Sequence, residues 1–557
     1  MKKKKPSAQA GASPTSEPAR LKAIRLLAAP AAGLLLVSSF PPYNLSPVAW
    51  LALAPLAWSL EAATLAGAAL RGYLFGVAYF ASLFWWIAVC RYPASLGFAA
   101  FAVVIPVIFI PWAMLANRAM RRASPAFKVI LPAALWVLLE YAMSHGMLAL
   151  PWWSLAYTQS RNLVTSQIAS IGGMFLISFV VAVFNFSLFT FVKYMLMKRA
   201  AKGKSAPPKP ARADIAMWVA AAALLVFTLA YGAFELTRTF GTDRPITLAL
   251  IQPSFDQSTK EQQVSDGVFL QKHIEMTDRA VQERHPDMVA WPESVTFLSW
   301  LNGPANRDAW LTRIMIYNTT LVTGVYNWDD RERSYNSVAA FDPERGYLGE
   351  YRKMQIVPFG EAVPYRSTVE KISPWAGKWL DENVYEYDTF PGHEYKLFKS
   401  RMGNFAVMIC FESVFPQYAR EFTRRGAEFL FVVTDDAWFL HSPAAYQHAA
   451  MAAIRAVENR RFVVQAANSG VSGFYDPYGR AVAETKLFDV TTLFGTIYPQ
   501  NGLTLYTRIG DVIVWLCGAF AIVALAALAA TRGKKVPAPE KPALPPADKP
   551  KKKKSKR

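Results

Sequence analysis

The chain has 557 residues, of which 53% are hydrophobic and 14% aromatic, and its formal net charge is +20. The apolar residues are concentrated before position 236 and after position 507, which predicts domains of different character rather than one soluble globule. Much of the positive charge lies in the tails and in loops between apolar segments. Membrane topology therefore explains the charge better than nucleic-acid binding does, and no nucleic-acid partner is expected.

Long apolar segments predict a helical membrane domain of about seven spans over residues 21–236 and a last span over 507–532. Most segments reach the ~20 residues that cross a ~30 Å hydrocarbon core, although the second is marginal in length. The first could instead be a cleaved signal peptide, but another apolar segment follows almost at once, and a retained helix is the preferred interpretation. The eight segments cover 22–40, 47–60, 68–90, 96–116, 128–146, 165–195, 214–235 and 508–531.

Basic residues set the expected orientation of these spans. Lysines and arginines precede the first span and follow the fourth and the sixth, and the chain ends in KKKKSKR. Because basic loops stay in the cytoplasm, both termini are predicted to be cytoplasmic and 237–506 to lie on the other side of the membrane. The tails, 1–20 and 533–557, are too polar and proline-rich to build a core and are predicted to be disordered.

The segment 237–506 alternates strand-like and helix-like patterns. Short apolar runs such as ITLALIQ at 246–252 and NFAVMIC at 404–410 predict strands, and the patterns at 266–284, 305–318 and 443–459 predict helices. Such alternation is typical of a layered α/β fold. Because catalytic and ligand-binding residues of open α/β sheets lie beyond the carboxyl ends of the strands, residues at those ends are the first candidates for a functional site.

Three residues at predicted strand ends form the candidate site: Glu293 in MVAWPES, Lys353 in YRKMQIVPFGE and Cys410 in AVMICFES. A thiol attacks a carbonyl carbon as the thiolate, and a free cysteine with a pKa near ~8.5 needs an adjacent base or cation to supply it. Glu293 can be that base. Lys353 can lower the pKa of the thiol and stabilise an oxyanion by about 3–4 kcal/mol. The alternatives are an inert buried cysteine and a surface ion pair.

The absence of common metal-binding and nucleotide-binding motifs limits which cofactors the protein is expected to use. The sequence has no CxxC, HExxH, GxGxxG or Walker-type pattern, so neither a metal nor a nucleotide cofactor is expected. Of its three cysteines, only Cys410 lies outside the apolar segments, which excludes a disulfide framework in the soluble part. His441 and His448 are expected to be structural. Glu140, a carboxylate within a predicted span, is a functional candidate, and Arg161 is left open.

The ordered motifs WPES, RKMQIVPFGE and ICFES resemble the nitrilase-like carbon–nitrogen hydrolase superfamily. With PWWSLAYTQ at 151–159, TDDAWF at 434–439 and spans on both sides of the soluble segment, the chain is similar to the apolipoprotein N-acyltransferase family over nearly all of 22–531. The resemblance implies an αββα sandwich attached to a polytopic helical membrane domain. It also implies the roles of five residues: Glu293 as general base, Lys353 as oxyanion stabiliser, Cys410 as nucleophile, and Glu361 and Glu412 as supporting acids.

The resemblance implies a function as well. An enzyme of the inner (plasma) membrane, with its catalytic domain on the periplasmic side, would take an acyl chain from a phospholipid and hold it as a thioester on Cys410. It would then pass the chain to the α-amine of the diacylglyceryl-cysteine of an apolipoprotein. Two departures from the family pattern, Phe411 and Glu261, leave the three central residues intact. A membrane-tethered amidase or nitrilase and a non-catalytic membrane scaffold stay open as alternatives.

Overall fold

The computed structural model describes residues 18–90, 94–122, 124–201, 209–255, 266–297, 304–375, 377–378 and 389–530. Nearly all of the two predicted disordered tails, and Glu261, lie outside these described residues. The described chain forms a helical part before residue 237 and after residue 504, and a part with two β-sheets between them.

The helices lie close to their predicted positions, and local signals fix several of their ends. Thr64 caps one helix by accepting a hydrogen bond from the Gly67 amide at 3.1 Å, and Pro125 opens another. The helices are α1 (Ala19–Val37), α2 (Ser46–Glu61), α3 (Leu65–Leu83), α4 (Ala94–Val104), α5 (Phe109–Met120), α6 (Pro125–Ala142), α7 (Leu163–Ser166), α8 (Ala169–Ala200), α9 (Arg212–Glu235), α10 (Asp266–Arg284), α11 (Pro304–Tyr317), α12 (Arg366–Ile372), α13 (Pro416–Arg424), α14 (Ala444–Asn459), α15 (Leu505–Ile509) and α16 (Val512–Ala530).

Within the described ranges, five helical segments are long and apolar enough to cross a membrane. They are Gly97–Met120, Pro125–Ala142, Ala169–Ala200, Arg212–Glu235 and Val512–Ala530. The other three predicted spans are helical too, but α2 has only 16 residues, and α1 carries Arg20, Lys22 and Arg25 near its start. Length and composition thus support five of the eight predicted spans, and the insertion of α1, α2 and α3 stays a prediction.

Two spans differ in detail from the prediction. The segment 68–90 was expected to be helical throughout, but α3 ends at Leu83 and a short 3₁₀ turn, Trp85–Val89, follows it. Cys90 therefore lies just beyond that turn and outside a regular span. α8 is kinked at Gly172 and Gly173, and Gly173 has a φ of 69°. A Cβ there would meet the ring of Tyr506 at 2.5 Å, so this close approach requires glycine.

Among the described residues between the helical segments, the strands form two sheets, each with parallel strands at its centre. The first has the order β13-β1-β2-β4-β5-β6 with β3 beside β4, and the second has the order β12-β11-β10-β9-β8-β7. The strands are β1 (Ile246–Gln252), β2 (Met288–Ala290), β3 (Thr296–Phe297), β4 (Thr320–Trp328), β5 (Ser334–Asp342), β6 (Gly346–Arg352), β7 (Phe398–Ser400), β8 (Gly403–Ile409), β9 (Phe429–Thr434), β10 (Val463–Ala467), β11 (Gly473–Tyr475), β12 (Ala481–Glu484) and β13 (Thr491–Ile497).

The two sheets pack face to face between helices, and the alternation of side chains along β1 shows why. Leu248 and Leu250 belong to the core shared with the second sheet, whereas Ala249 and Ile251 belong to a separate cluster with residues of α10. On the other side, α13 and α14 contribute Ala419, Phe422 and many residues of Ala444–Asn459 to the core around β8, β9 and β10. The fold is therefore the αββα sandwich that was predicted.

The helical part and the second sheet share one continuous hydrophobic core. At the kink in α8, the amide of Met174 donates to Glu458 Oε1 on α14 at 2.8 Å, because the kink frees the amides of a new helix start. Trp152, in the turn after α6, donates to Gln447 Oε1 at 2.7 Å. Polar contacts as well as apolar packing thus join the bundle to the sandwich.

Candidate active site

The three predicted residues each follow a strand, and the structure brings their ends together. Glu293 lies three residues after β2, Lys353 directly after β6, and Cys410 directly after β8. β2 runs parallel to β4, and β6 has the same direction because it is antiparallel to β5, which is antiparallel to β4. The carboxyl ends of β2 and β6 therefore lie at one edge of the first sheet, where functional residues of α/β sheets are found. Cys410 approaches this edge from the second sheet, since the charges of Glu293 and Lys353 both act on its thiol.

The Lys353 side chain lies fully buried between two carboxylates. Its Nζ donates to Glu293 Oε1 at 3.2 Å and to Glu361 Oε1 at 2.9 Å. Burial lowers the pKa of Lys353, but the charges of Glu293 and Glu361 raise it more, and the result is a pKa well above the ordinary value. Lys353 is therefore a fixed cation rather than a base.

Asn336, on β5, connects the same two carboxylates. Its Nδ2 donates to Glu293 Oε1 at 2.7 Å and to Glu361 Oε1 at 2.8 Å, and only 2% of the residue is exposed. The other oxygen of Glu293, Oε2, accepts from the backbone amide of Asp435 at 2.9 Å, which comes from the second sheet. Both oxygens of Glu293 are thus oriented by donors from opposite sheets.

Cys410 begins a 3₁₀ turn, Cys410–Val414, immediately after the buried strand β8. Its φ is 49°, a left-handed conformation that is uncommon for a residue with a side chain and that is often found at functional sites. Burial raises the pKa of the thiol well above its usual value, Glu293 raises it further, and Lys353 lowers it only in part. Lys353 thus lowers the pKa of the thiol as expected, but burial outweighs the cation and the net shift is upward. The resting thiol needs a base.

Glu412 holds together the turns that carry Cys410 and Lys353. Its Oε2 accepts from the Ile409 amide at 2.7 Å, and its Oε1 accepts from the amides of Met354 and Gln355 at 2.6 and 3.2 Å. The hydroxyl of Tyr351 donates to the same Oε1 at 2.8 Å. Burial raises the pKa of Glu412 to about 7 despite these donors. Glu412 thus orients backbone on both sides of the site, whereas Glu361 contacts Lys353 itself.

His448 contacts the backbone of the nucleophile, Cys410. Its Nε2 is 3.0 Å from the Cys410 carbonyl oxygen, and its Nδ1 is 3.0 Å from Asp436 Oδ1. Burial lowers the pKa of His448, but Asp436 and the Cys410 carbonyl raise it more, so the net shift is upward. The indole of Trp152 stacks on the imidazole with centroids 5.7 Å apart. His448 thus contacts the backbone of the nucleophile, and the structural role expected for it stays a prediction.

The remaining residues singled out from the sequence have structural partners. The Glu140 Oε1 atom accepts from Trp136 Nε1 and from the Leu155 amide, both at 2.8 Å, so it anchors the turn after α6. Arg161 pairs with Glu484 at 2.6 Å. Two more residues have aromatic neighbours. The ring centroids of His441 and Phe488 are 4.2 Å apart, and Phe411 packs edge-on against Phe415.

The turn after Cys410 also contacts the helical part directly. Tyr157, in the segment between α6 and α7, donates its hydroxyl to the Val414 carbonyl at 2.6 Å. Arg455 on α14 donates to the same carbonyl at 3.4 Å and pairs with Glu458, and both of these charged side chains are fully buried. The last residue of the Cys410–Val414 turn is therefore held by a residue of the helical part that lies 257 positions earlier in the chain.

Sequence reasoning missed Asn336, Asp436 and the contact of His448 with Cys410. Asn336 had one local signal, a polar amide inside the otherwise apolar strand SYNSVAAFD. Asp436 lies in the TDDAWF motif, but its partner is 12 residues away along the chain. Among the residues that the structure describes, no cluster of three or more histidine, cysteine, aspartate or glutamate side chains could hold a metal ion.

Comparisons with known proteins agree with this architecture. The family model for the apolipoprotein N-acyltransferase N-terminal domain matches residues 32–187, and the carbon-nitrogen hydrolase model matches residues 247–501. An apolipoprotein N-acyltransferase from Geobacter metallireducens is 31% identical in an alignment of 505 positions that covers 89% of this chain and 94% of that relative. The chain belongs to the apolipoprotein N-acyltransferase family.

Two further relatives have the same name and similar coverage. One, from Chlorobaculum tepidum, is 29% identical and covers 90% of this chain and 95% of its own. The other, from Bradyrhizobium diazoefficiens, is 29% identical and covers 91% of this chain and 95% of its own. With these relatives and its apolar helices, the chain is a membrane-bound acyltransferase with a carbon–nitrogen hydrolase domain. The amidase and scaffold alternatives are disfavoured accordingly.

Proposed function

We propose that this enzyme transfers an acyl chain from a phospholipid, through a thioester on Cys410, to the α-amine of the diacylglyceryl-cysteine of an apolipoprotein. The observation that carries the proposal is the convergence of Glu293, Lys353 and Cys410 at one edge of a sandwich that shares its core with apolar helices. The names of the relatives support the nature of the acceptor.

In the first half-reaction, Glu293 takes the proton of the Cys410 thiol, whose raised pKa keeps it protonated until a base acts. The thiolate attacks the ester carbonyl carbon of the phospholipid, and the negative charge that forms on the carbonyl oxygen is stabilised by Lys353. Such a contribution is worth about 10²–10³ in rate. The intermediate then collapses, the ester C–O bond breaks, and the proton on Glu293 passes to the departing lysophospholipid alkoxide. The thioester remains on Cys410.

In the second half-reaction, the α-amine of the acceptor attacks the thioester carbonyl carbon. Glu293, again ionised, takes the proton that the amine loses, and Lys353 again stabilises the oxyanion. Collapse breaks the C–S bond and forms the amide, and the proton returns from Glu293 to the thiolate. Acyl transfer rather than hydrolysis requires that water be kept from the thioester, and a site built against apolar helices favours this.

The distribution of charge supports an orientation with the sandwich on the periplasmic side of the inner membrane. The ends of α5 and α8 that lie away from the sandwich carry basic residues, Arg118 at the end of α5 and Lys198 and Arg199 at the end of α8. Basic segments of this kind stay in the cytoplasm. The catalytic edge then faces the compartment in which exported lipoproteins are modified.

Trapping the thioester tests the proposal. Purified enzyme incubated with phospholipid alone should gain the mass of one acyl chain on the peptide containing Cys410 and release lysophospholipid. Addition of a diacylglyceryl-modified peptide should remove the adduct. Glu293→Gln, Lys353→Met and Cys410→Ala should suppress it, since they remove the base, the cation and the nucleophile. Lys399→Met, at an exposed position on β7, is the matched control and should react normally.

Two outcomes would contradict the scheme. If wild-type enzyme never carries the adduct but still transfers the chain when both substrates are present, transfer occurs directly in a ternary complex. If the enzyme instead hydrolyses simple amides without phospholipid, the membrane-tethered amidase is the correct alternative.

A further inference from the structure

A basic cavity lies at the end of the helix bundle that is remote from the sandwich. Its volume is about 540 Å³, and among its lining residues are Arg25, Arg121, Arg122, Lys128, Lys193 and Glu61. These residues come from α1, α2, α6, α8 and the turn after α5. Residues far apart in the sequence thus place several cations around one concave surface.

The geometry of α8 fixes the depth of this cavity in the membrane. After its kink, α8 runs from Met174, whose amide is bonded to Glu458 of the sandwich, to Lys193 in the cavity wall. Nineteen residues at ~1.5 Å each correspond to about 28 Å, which is close to the ~30 Å thickness of a hydrocarbon core. The cavity and the catalytic edge therefore lie at opposite surfaces of the bilayer.

The carboxylates near the cavity do not balance its cations. Lys193 Nζ is 2.5 Å from Glu61 Oε1, and Lys128 Nζ is 4.0 Å from Asp214 Oδ1 on α9. Arg121 donates to the carbonyl of Ala63, which satisfies a backbone oxygen but adds no negative charge. Arg25 apart, the four other cations of the wall thus face two carboxylates among the described residues at this end, and the cavity keeps a positive potential.

The surroundings of the cavity are those of a lipid interface. The guanidinium of Arg25 lies over the ring of Trp58, 4.9 Å from its centroid, and tryptophan is enriched at membrane surfaces. Beside Lys193, the apolar side chains of Phe191, Val192 and Leu196 are exposed on the outer face of α8. A ligand with a charged head in the cavity could lay apolar chains along this face.

We propose that this cavity binds the phosphate-containing headgroup of an anionic phospholipid in the leaflet opposite the active site. Arginine pairs with phosphate oxygens through two parallel hydrogen bonds, and basic pockets between spans suit anionic headgroups. The site is separate from the acyl donor site, because the thickness of the bilayer lies between them. The inference does not depend on the proposed catalytic scheme.

Lipid binding by the full-length enzyme tests this inference. Delipidated enzyme in detergent is titrated with phosphatidylglycerol or with phosphatidylcholine of the same acyl chains, and bound lipid is counted by native mass spectrometry. Wild type should retain one phosphatidylglycerol that phosphatidylcholine does not displace. Arg122→Gln/Lys128→Gln should bind it about 30-fold more weakly, which is equivalent to about 2 kcal/mol at ~1.4 kcal/mol per factor of ten.

The matched control removes the same charge from the same end of the bundle. Lys198→Gln/Arg199→Gln changes two exposed residues in the last turn of α8 that do not line the cavity, and it should bind like wild type. Equal weakening in both double variants would mean that only the overall charge matters and would overturn the site. Displacement of the lipid by inorganic phosphate alone would show a free-anion site and would overturn the assignment to lipid.

Discussion

Asn336 is the residue whose replacement most directly tests how the site orients its base. The two hydrogens of its Nδ2 are shared between Glu293 at 2.7 Å and Glu361 at 2.8 Å, and the residue is buried on β5. In Asn336→Ala, Glu293 keeps Lys353 and the Asp435 amide as partners but loses its shortest donor. We expect Glu293 to rotate away from the thiol more often, so that the proton transfer to it becomes slower.

The size of the effect follows from the kind of bond that is lost. A hydrogen bond to a charged group is worth about 1.5–3 kcal/mol, and about 1.4 kcal/mol corresponds to a factor of ten. Of the two bonds, only the one to Glu293 acts on the base. The rate of thioester formation should therefore fall about 10- to 100-fold, while Lys353 stays in place through Glu361.

Single-turnover formation of the Cys410 adduct, followed by mass spectrometry with phospholipid alone, measures this rate. The matched control is Asn327→Ala, which removes an amide–carboxylate bond of 2.9 Å to Glu350 on the same sheet but outside the site. This control should react within about twofold of wild type, because its half-buried bond orients Glu350 rather than Glu293. Equal rates in Asn336→Ala and wild type, or an equal fall in both variants, would refute the reasoning.

The variant Asn336→Asp separates orientation from simple loss of structure. It places a third carboxyl group between Glu293 and Glu361, and like charges at this distance raise the pKa of the group as a whole. More of the base is then protonated at neutral pH, and the adduct rate should recover as the pH rises. Asn336→Ala should show no such recovery, so its rate should stay below wild type over the same pH range.

Three further predictions concern the thiol, a buried ion pair and the topology. Glu293 raises and Lys353 lowers the pKa of Cys410. Iodoacetamide at pH 8 should therefore alkylate Cys410 faster in Glu293→Gln and more slowly in Lys353→Met than in wild type. If both variants changed the alkylation rate in the same direction, this electrostatic explanation would be contradicted. Glu458→Ala leaves Arg455 as an uncompensated buried charge and should lower the unfolding free energy by about 3–5 kcal/mol. The double variant Arg455→Met/Glu458→Leu should recover most of this lost stability in thermal unfolding. A double variant as unstable as Glu458→Ala would refute the ion-pair explanation. Reporter fusions should place residue 240 outside the cytoplasm and residue 210 inside; a cytoplasmic residue 240 would exclude action on exported lipoproteins.

The sequence is most informative where a pattern is local. The bounds of β1 and α10 coincide with the predicted ranges 246–252 and 266–284, because alternating apolar residues and polar turns mark them directly. Glu293, Lys353 and Cys410 could be found in the same way, since each stands where a strand pattern stops. Their places at the ends of strand patterns also predict that they lie near one another, although β6 takes the direction of β4 only through two antiparallel pairings.

Features that depend on the packing of distant segments could not be predicted. Asn336 is one polar residue in a strand, and its role arises only because β5 lies beside the strands that carry Glu293 and Lys353. The direction of the pKa shift of Cys410 depends on how deeply neighbouring segments bury the thiol, which no spacing reveals. The early end of α3 at Leu83 was missed because the residues after it are as apolar as those within the helix.

The hydrogen bond between Tyr157 and Val414 affects where inactivating substitutions are expected and which parts of the chain can be exchanged between relatives. A fragment that began at residue 247 and ended at 501, as the carbon-nitrogen hydrolase match does, would leave the Cys410–Val414 turn without Tyr157 and Glu458 without the amide of Met174. Such a fragment would also expose a face of the common hydrophobic core. Inactivating substitutions recovered from an unbiased screen are therefore expected in the segment 151–178 as well as around Cys410, and homologous catalytic domains should be exchangeable only together with this stretch of the bundle.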